Sequence, residues 1–389
     1  MKSKKSLLMA TTVPVTLKAF LLPYADSFRE LGWKVDCLSR NVSMDEKCAS
    51  HFDSCYDINW DRTFSISKTA GFHSCVKRVR ELAHKEIYDI VHVHTPVAAF
   101  ITRYALKDIR TALGTNVIYT AHGFHFYSGG ACLSNFIYRM AEKIAARWTD
   151  LMIVMNEEDH EAAFSFLPHE RVIKMNGIGL DLEYYSERKI HPEKILELRD
   201  SIGLKPSDRL YSFVAEFNPG KCHADVIKAL AKTNNDSFHL AFAGTGDLMC
   251  EMKELSKKLN VAERVHFIGF QNDIRPLIAA SVAMVMPSRR EGLPRSVMES
   301  MAMRTPVIGA DIRGTRDLLK DGCGILIRAE KKIDGFAEAM IYCADAANVH
   351  EVDKITEFAY NRILNYDIKI LVKEHNEIYT KLKSMANLV

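Results

Sequence analysis

The sequence predicts an α/β protein built from two Rossmann-like domains, each a doubly wound parallel sheet, and three observations predict it. Short, wholly apolar runs alternate with amphipathic segments, the pattern of strands buried on both faces of a parallel sheet and covered by helices. These runs form two series, separated by Asn176-Gly177-Ile178-Gly179 and a charged helical stretch from His191 to Arg199. A chain of 389 residues is also long for one core and comfortable for two.

The first series is Leu7–Val13, Val35–Leu38, Ile90–His94, Val117–Thr120, Leu151–Met155 and Val172–Met175. The second is Leu210–Ala215, His239–Ala243, Val265–Ile268, Ala283–Met286, Pro306–Ile308 and Gly324–Ile327. Between the first two runs, Leu17, Phe20, Leu21, Tyr24, Phe28 and Leu31 recur at spacings of three and four, which predicts an amphipathic helix. The glycine-rich break predicts a linker near residues 176–190. The domains are therefore read as residues 1–180 and 181–366, with a closing helix within 367–389. That helix carries Ile370, Leu371, His375, Ile378, Tyr379 and Leu382 on one face, expected to be covered by a return to the N-terminal domain. Doubly wound sheets bind ligands outside the carboxyl ends of their strands, so facing domains are expected to hold a cleft there.

Composition narrows the class. With 48% apolar and 26% charged residues, the chain suits a soluble globular protein without extended disorder. The nine cysteines are odd in number, scattered and never spaced C-x-x-C, which fits reduced cytosolic thiols rather than a disulfide framework or a zinc site. A formal charge of +3 is too small to point to nucleic acid. Residues 1–180 hold 22 Lys/Arg against 19 Asp/Glu, so the excess sits in the N-terminal half, where Lys2, Lys4 and Lys5 open the chain. Pro14 and Lys18 interrupt the apolar stretch after those lysines, so a buried first strand explains it better than a signal peptide does. No run approaches the ~20 apolar residues that span a bilayer, and the protein is expected to be soluble or peripheral.

The strongest chemical pattern runs from Pro287 to Ile308, P-S-R-R-E-G-L-P-R-S-V-M-E-S-M-A-M-R-T-P-V-I. It predicts a loop containing Gly292 and Pro294, then a helix from about Arg295 to Met303. Proline at a helix start leaves the following N–H groups free, and with the positive dipole end they suit a phosphate. Glu291 lies in the loop and Glu299 one turn into the helix, so one carboxylate can accept sugar hydroxyls and the other ribose hydroxyls. Taken singly, each glutamate reads equally as an ordinary solvated or helical residue.

Glu291, seven intervening residues and Glu299 resemble the E-x7-E signature of glycosyltransferase family 4, and the surrounding residues match as well. That resemblance implies the GT-B fold and a retaining transfer from a nucleotide sugar. It places Glu291 on the donor sugar, Glu299 on the ribose and the Gly292–Leu293 backbone at the distal phosphate. Val265–Ile274 is similar to the family segment whose backbone, around Gly269 and Phe270, reads the base. Ala243-Gly-Thr-Gly-Asp247 also follows a strand, with Gly244 at the donor. Val214–Lys221 is similar to the phosphate-binding loop, which makes Lys221 a clamp on the diphosphate. Here the chain departs from the family, because Ala215-Glu216 stands where a Gly-Arg pair is commoner. Arg289, Arg290 and Arg295 are the candidates to replace that arginine.

In the N-terminal half, Tyr88–Pro96 and Val117–Tyr127 are strand ends running into loops. They resemble the branch of the family that builds capsular and exopolysaccharides on lipid carriers. By that match His122 sits beside the donor's reacting carbon. His92 and His94, two apart on a strand, point the same way, which favours local hydrogen bonding or acceptor contact over a metal site. Phe124, His125, Phe126 and Tyr127 beside Gly129-Gly130 suit sugar or isoprenoid contact, or packing on the neighbouring helix. Phe136, Met140, Ile144 and Trp148 form one helical stripe, with Arg139, Lys143 and Arg147 on the next; a membrane surface and an ordinary core both suit it.

The resemblance thus implies a UDP-sugar donor and a polyprenyl-diphosphate-linked glycan acceptor at the cytoplasmic face of the inner membrane. No D-x-D motif stands at a strand end, so no metal or other cofactor is expected. The alternative enzyme class on this fold, a nucleotide-sugar epimerase, needs further acid and base groups, and the E-x7-E pair speaks against it. A dinucleotide oxidoreductase is excluded because the first strand ends in Thr11-Thr-Val-Pro, without a G-x-G-x-x-G turn.

Overall fold

The structure is a computed structural model that describes residues 4–60 and 69–386, with no side-chain placement for 69–70 and 383–386. It divides into two compact units, Met1–Gly179 with Ile368–Val389, and Leu180–Asp367.

The first unit holds a seven-stranded parallel sheet. Its strands are β1 (Ser6–Ala10), β2 (Lys34–Ser39), β3 (Ser54–Asp57), β4 (Ile90–His94), β5 (Asn116–Ala121), β6 (Leu151–Val154) and β7 (Val172–Lys174), in the order β3-β2-β1-β4-β5-β6-β7. Leu7 on β1 registers with Val35 on β2 and Ile90 on β4. Alternate side chains separate two cores. Leu8, Ala10, Val91 and Val93 enter one, while Leu7, Met9, Ile90 and Ile118 enter the other. The second core is closed by the last helix, Ile368–Ala386, through Leu371 and Tyr379, whereas Ile370 turns away from it, 44% exposed.

The second unit holds a six-stranded parallel sheet in the order β10-β9-β8-β11-β12-β13. Its strands are β8 (Arg209–Val214), β9 (Phe238–Ala243), β10 (Val265–Gly269), β11 (Ala283–Met286), β12 (Val307–Ala310) and β13 (Ile325–Ile327). In each unit the strand order reverses beside the first strand, β1 against β4 and β8 against β11. Loops part there and open a crevice at the carboxyl ends.

Three sequence expectations are corrected. β3 was not among the expected strands because Ser54-Cys55-Tyr56-Asp57 is a short, half-exposed edge strand with no apolar run. The helix expected over Leu17–Leu31 is two helices, Pro14–Phe20 and Leu22–Glu30, because Pro23 cannot donate the hydrogen bond that would continue the first. Leu31 lies beyond them and is exposed. The first strand ends at Ala10 rather than Val13, since Val13 already caps the next helix.

At the boundary Gly179 adopts φ +80°, and a Cβ there would stand 2.7 Å from the Ile368 backbone. Of the three N-terminal lysines, Lys2 lies outside the described residues, and Lys5 rests over the Trp33 ring at 5.0 Å.

Candidate active site

In the second unit, three loops converge after β8, β11 and β12. After β8, the Asn218 side chain accepts from the Gly220 N–H at 3.0 Å and so caps a single turn, Pro219–Lys221. Cys222 then takes φ +57°, and the helix His223–Lys232 begins. That turn aims Lys221 Nζ at Glu291 Oε1, 2.6 Å away. Glu291 is buried in the loop after β11, where the Arg289 N–H donates to the Gly220 carbonyl at 2.9 Å and ties the two loops together.

The third loop, after β12, supports the backbone of Glu291 and Gly292. Buried Arg313 donates through Nε to the Glu291 carbonyl oxygen at 3.2 Å. Gly314 follows with φ +72°, and a Cβ there would sit 2.1 Å from the Gly292 carbonyl oxygen. Only glycine allows that approach. Neither residue was singled out from the sequence, because a lone Arg-Gly pair after a strand carries no spacing signal.

Glu299 lies on the helix Arg295–Ala302, buried, with Arg295 Nε donating to its Oε1 at 2.9 Å. Burial pushes the Glu299 carboxyl up, and the Arg295 guanidinium and the Tyr185 hydroxyl hold it back. Arg295 is thus paired with Glu299, as Lys221 is with Glu291. Arg289 and Arg290 are both exposed on the neighbouring loop. At the substituted position itself, Glu216 is exposed and accepts from Asn218 Nδ2 at 3.1 Å. Pro294 precedes the helix without any side-chain cap, which leaves the first-turn N–H groups beside Gly292 and Leu293 uncapped.

Gly244 has a packing reason of its own. With φ +146° its absent Cβ would stand 2.0 Å from the Ala215 carbonyl oxygen, and its N–H donates to the Gly269 carbonyl at 2.8 Å. Gly269 takes φ +68°, and the next residue, Phe270, holds its ring 72% exposed.

In the first unit, His122 follows β5, half-buried and stacked on Phe20 at 5.8 Å. Its Nε2 lies 3.1 Å from His94 Nδ1. His94 Nε2 is buried with no hydrogen-bond partner among the described residues. A bare acceptor is cheaper to bury than a bare N–H, which favours His94 Nδ1–H as the donor and leaves the His122 proton on Nδ1. His92 is fully engaged, with Tyr379 of the last helix on Nδ1 and Thr120 Oγ1 at 2.7 Å from Nε2. Burial and the neighbouring imidazoles push His92 and His94 well down, and His122 and His375 fall to about 4. All four are neutral at pH 7.

One further expectation is corrected, and one reading left open by the sequence is narrowed. Phe124 and Phe126 are buried, stacked on each other at 4.8 Å and packed against Phe166, so they serve the core and not a ligand. His125 and Tyr127 remain half-exposed, with the Tyr127 loop held by Asn135. Of the two readings open to the stripe of Phe136, Met140, Ile144 and Trp148, the core reading does not fit, because the stripe does not face the core as a unit. The helix is Cys132–Ala146, and it docks through Glu142, Ala145 and Ala146, with Glu142 bound to buried Arg103 at 3.0 Å. Leu133, Phe136 and Ile137 are 72%, 63% and 56% exposed, and Met140 and Ile144 continue the same exposed stripe. Arg139, Lys143 and Arg147 are exposed beside it, with Arg139 over the Phe126 ring. Among the described residues, no helix is long and apolar enough to cross a membrane, and no group of three His, Cys, Asp or Glu is placed to hold a metal ion.

Comparison with known proteins agrees with this architecture. Residues 21–173 match the family described as Glycosyltransferase Family 4, and residues 194–361 match Glycosyl transferases group 1. The chain is 34% identical over 328 residues to "Putative glycosyltransferase EpsD" of Bacillus subtilis, covering 83% of this chain and 84% of that one. It is 29% identical over 311 residues to the UDP-Gal:alpha-D-GlcNAc-diphosphoundecaprenol alpha-1,3-galactosyltransferase of Escherichia coli, covering 77% of each. Among solved structures, Anabaena Alr3699/HepE in complex with UDP-glucose superposes with a TM-score of 0.80 at 19% identity, over 97% of this chain and 99% of that one. A glycosyltransferase from Rickettsia africae reaches the same TM-score at 17% identity, over 98% and 99%. With two doubly wound units, an E-x7-E pair at the crevice of the second and a relative this similar over most of its length, the chain belongs to glycosyltransferase family 4 and has the GT-B fold.

Proposed function

We propose that this glycosyltransferase moves a hexosyl or N-acetylhexosaminyl group from a UDP-sugar to a polyprenyl-diphosphate-linked glycan, with retention of anomeric configuration, in cell-surface polysaccharide synthesis. The observation that carries the donor half is the 2.6 Å pair between Lys221 and Glu291, with the start of the helix Arg295–Ala302, which has no side-chain cap, three residues beyond Gly292. A nucleoside diphosphate sugar presents both complements at once. Its phosphates accept from Lys221 and the loop amides, and its sugar hydroxyls donate to Glu291. Glu299 takes the ribose hydroxyls, and the exposed Phe270 ring with the Gly269 backbone takes the base. Arg290 is our candidate for the second phosphate cation. UDP and UDP-glucose bound to the HepE structure support a uridine nucleotide, and the galactosyltransferase relative supports the lipid-linked acceptor.

Catalysis in this reading is positioning and electrostatic stabilisation. Lys221, the loop amides and an arginine hold the departing diphosphate, and the acceptor hydroxyl attacks from the same face. Neutral His122 offers its Nδ1 proton to the transferring sugar and supplies no charge. We expect no metal to be required. The exposed apolar stripe of helix Cys132–Ala146, bordered by Arg139, Lys143 and Arg147, suits an anionic membrane surface and supports a peripheral position on the cytoplasmic face of the inner membrane. The test is a screen of nucleotide sugars for UDP release, with and without an extracted lipid-linked acceptor. Acceptor-dependent release from a UDP-sugar is expected; none from any donor overturns the reading.

A further inference from the structure

The first unit contains a cavity of about 1000 Å³ at the carboxyl ends of β1, β2 and β4, beside the reversal of strand order. Its walls include Thr12, Lys18, Arg40, Asn41, Thr95 and Tyr138. The volume is at the large end for a small-molecule site and suits a sugar with a diphosphate.

The two cations in the wall differ in what they are free to do. Lys18 is held by Asp45 at 2.6 Å, and that carboxylate also accepts from the Cys48 N–H, so the pair is internally balanced. Arg40 is exposed and has no ion-pair partner among the described residues, which leaves its guanidinium as the unbalanced charge of the cavity. A planar guanidinium presents paired N–H donors that match phosphate oxygens. In the same lining, the Thr12 and Thr95 hydroxyls lie 2.8 Å apart, and the Thr12 N–H donates to Thr95 Oγ1 at 3.0 Å. That contact holds Thr95 at φ +62°, a costly conformation for a β-branched residue. Strain of this kind is retained where the surroundings impose it, and it concentrates at ligand sites.

Tyr138 connects the cavity to the surface. It belongs to the helix Cys132–Ala146, so one helix both walls the polar cavity and shows Leu133, Ile137, Met140 and Ile144 to solvent at successive turns. A ligand with an anionic head and a hydrocarbon tail satisfies both surfaces. We infer that this cavity binds the sugar diphosphate head of an isoprenoid acceptor, with Arg40 on the phosphates and the hydrocarbon chain leaving past Tyr138 along the apolar stripe. This rests on the acceptor reading above and adds the site and the residues that read the phosphate.

Farnesyl diphosphate and inorganic pyrophosphate are the probes, titrated by calorimetry with UDP saturating the donor site. Arg40→Gln is expected to weaken both by roughly ten-fold or more, and Arg40→Glu further. The double variant Leu133→Ser/Ile137→Ser is expected to weaken farnesyl diphosphate alone. Unchanged farnesyl diphosphate affinity in both Arg40 variants overturns the assignment, and so does equal weakening of the two probes by the stripe variant. UDP affinity in the same variants is expected to match the wild type, which shows that the fold is intact. Binding is read here without turnover, so a failed screen for UDP release and a failed cavity assignment give different results.

Discussion

Lys221 Nζ and Glu291 Oε1 are 2.6 Å apart, so the opposite charges at the candidate donor site neutralise each other. The arrangement predicts opposite effects of the two residues on the nucleotide alone. Lys221→Ala removes a charge-assisted phosphate contact and is expected to weaken UDP by roughly 1.5–3 kcal/mol. Glu291→Gln keeps the volume but frees Lys221, so UDP affinity is expected to hold or rise while transfer falls on the order of 100-fold. Calorimetry with UDP and a release assay measure the two separately, and equal loss of UDP affinity in both variants would sink the assignment. Glu299→Ala should weaken UDP as Lys221→Ala does, through lost ribose contacts.

Gly314→Ala is expected to disturb the donor loop without touching any ligand. The new Cβ meets the Gly292 carbonyl oxygen at 2.1 Å in a backbone conformation of φ +72°. The strain costs roughly 1–3 kcal/mol or shifts the Gly292–Leu293 amides. Thermal denaturation and UDP affinity together distinguish the two, and wild-type values in both would contradict the close approach.

His122→Ala is expected to leave UDP affinity nearly intact while transfer falls by orders of magnitude, because His122 belongs to the first unit and is proposed to meet only the sugar. The His94 contact adds a spectroscopic signature. Nitrogen-15 shifts should show neutral His122 with its proton on Nδ1, and a predominant Nε2–H tautomer would refute the donor assignment at the 3.1 Å contact.

Acid should unfold the first unit through its buried imidazoles. His122 and His375 are held down at about 4 in the fold, against 6.5 for an exposed imidazole, and His92 and His94 are also well down. The folded pKa values are depressed, so unfolding takes up protons below 6.5. Stability is full above that pH and declines as pH falls toward 4. His375→Gln removes one such group, and its urea midpoint should fall less steeply than that of wild type between pH 6.5 and 4. Parallel slopes would mean that His375 is not held neutral.

Binding to anionic vesicles is expected, fading with added salt and dropping when Arg139, Lys143 and Arg147 become Gln. Each cation near such a surface contributes about 1 kcal/mol before screening. Sedimentation of the triple variant with vesicles to the wild-type extent would show that the exposed stripe meets something else.

Apolar runs alone determined two series of strands, because a strand covered on both faces has no polar alternative along its length. They missed β3, an edge strand without such a run. The E-x7-E spacing likewise brought Glu291 and Glu299 to one loop and helix, since seven intervening residues span the turn and the first helical turns whatever packs around them. Tertiary structure alone decided the rest. Arg313 and Gly314 reach Glu291 and Gly292 across two loops, and contact between segments far apart in sequence leaves no periodic trace. Phe124 and Phe126 look exposed in a glycine-rich loop yet fill the core. The helix Cys132–Ala146 carries a core-like pattern but docks by alanines and Glu142, leaving its apolar side in solvent. A hydrophobic stripe states that a face will be covered; only the packing of the whole unit decides whether the cover comes from the protein itself.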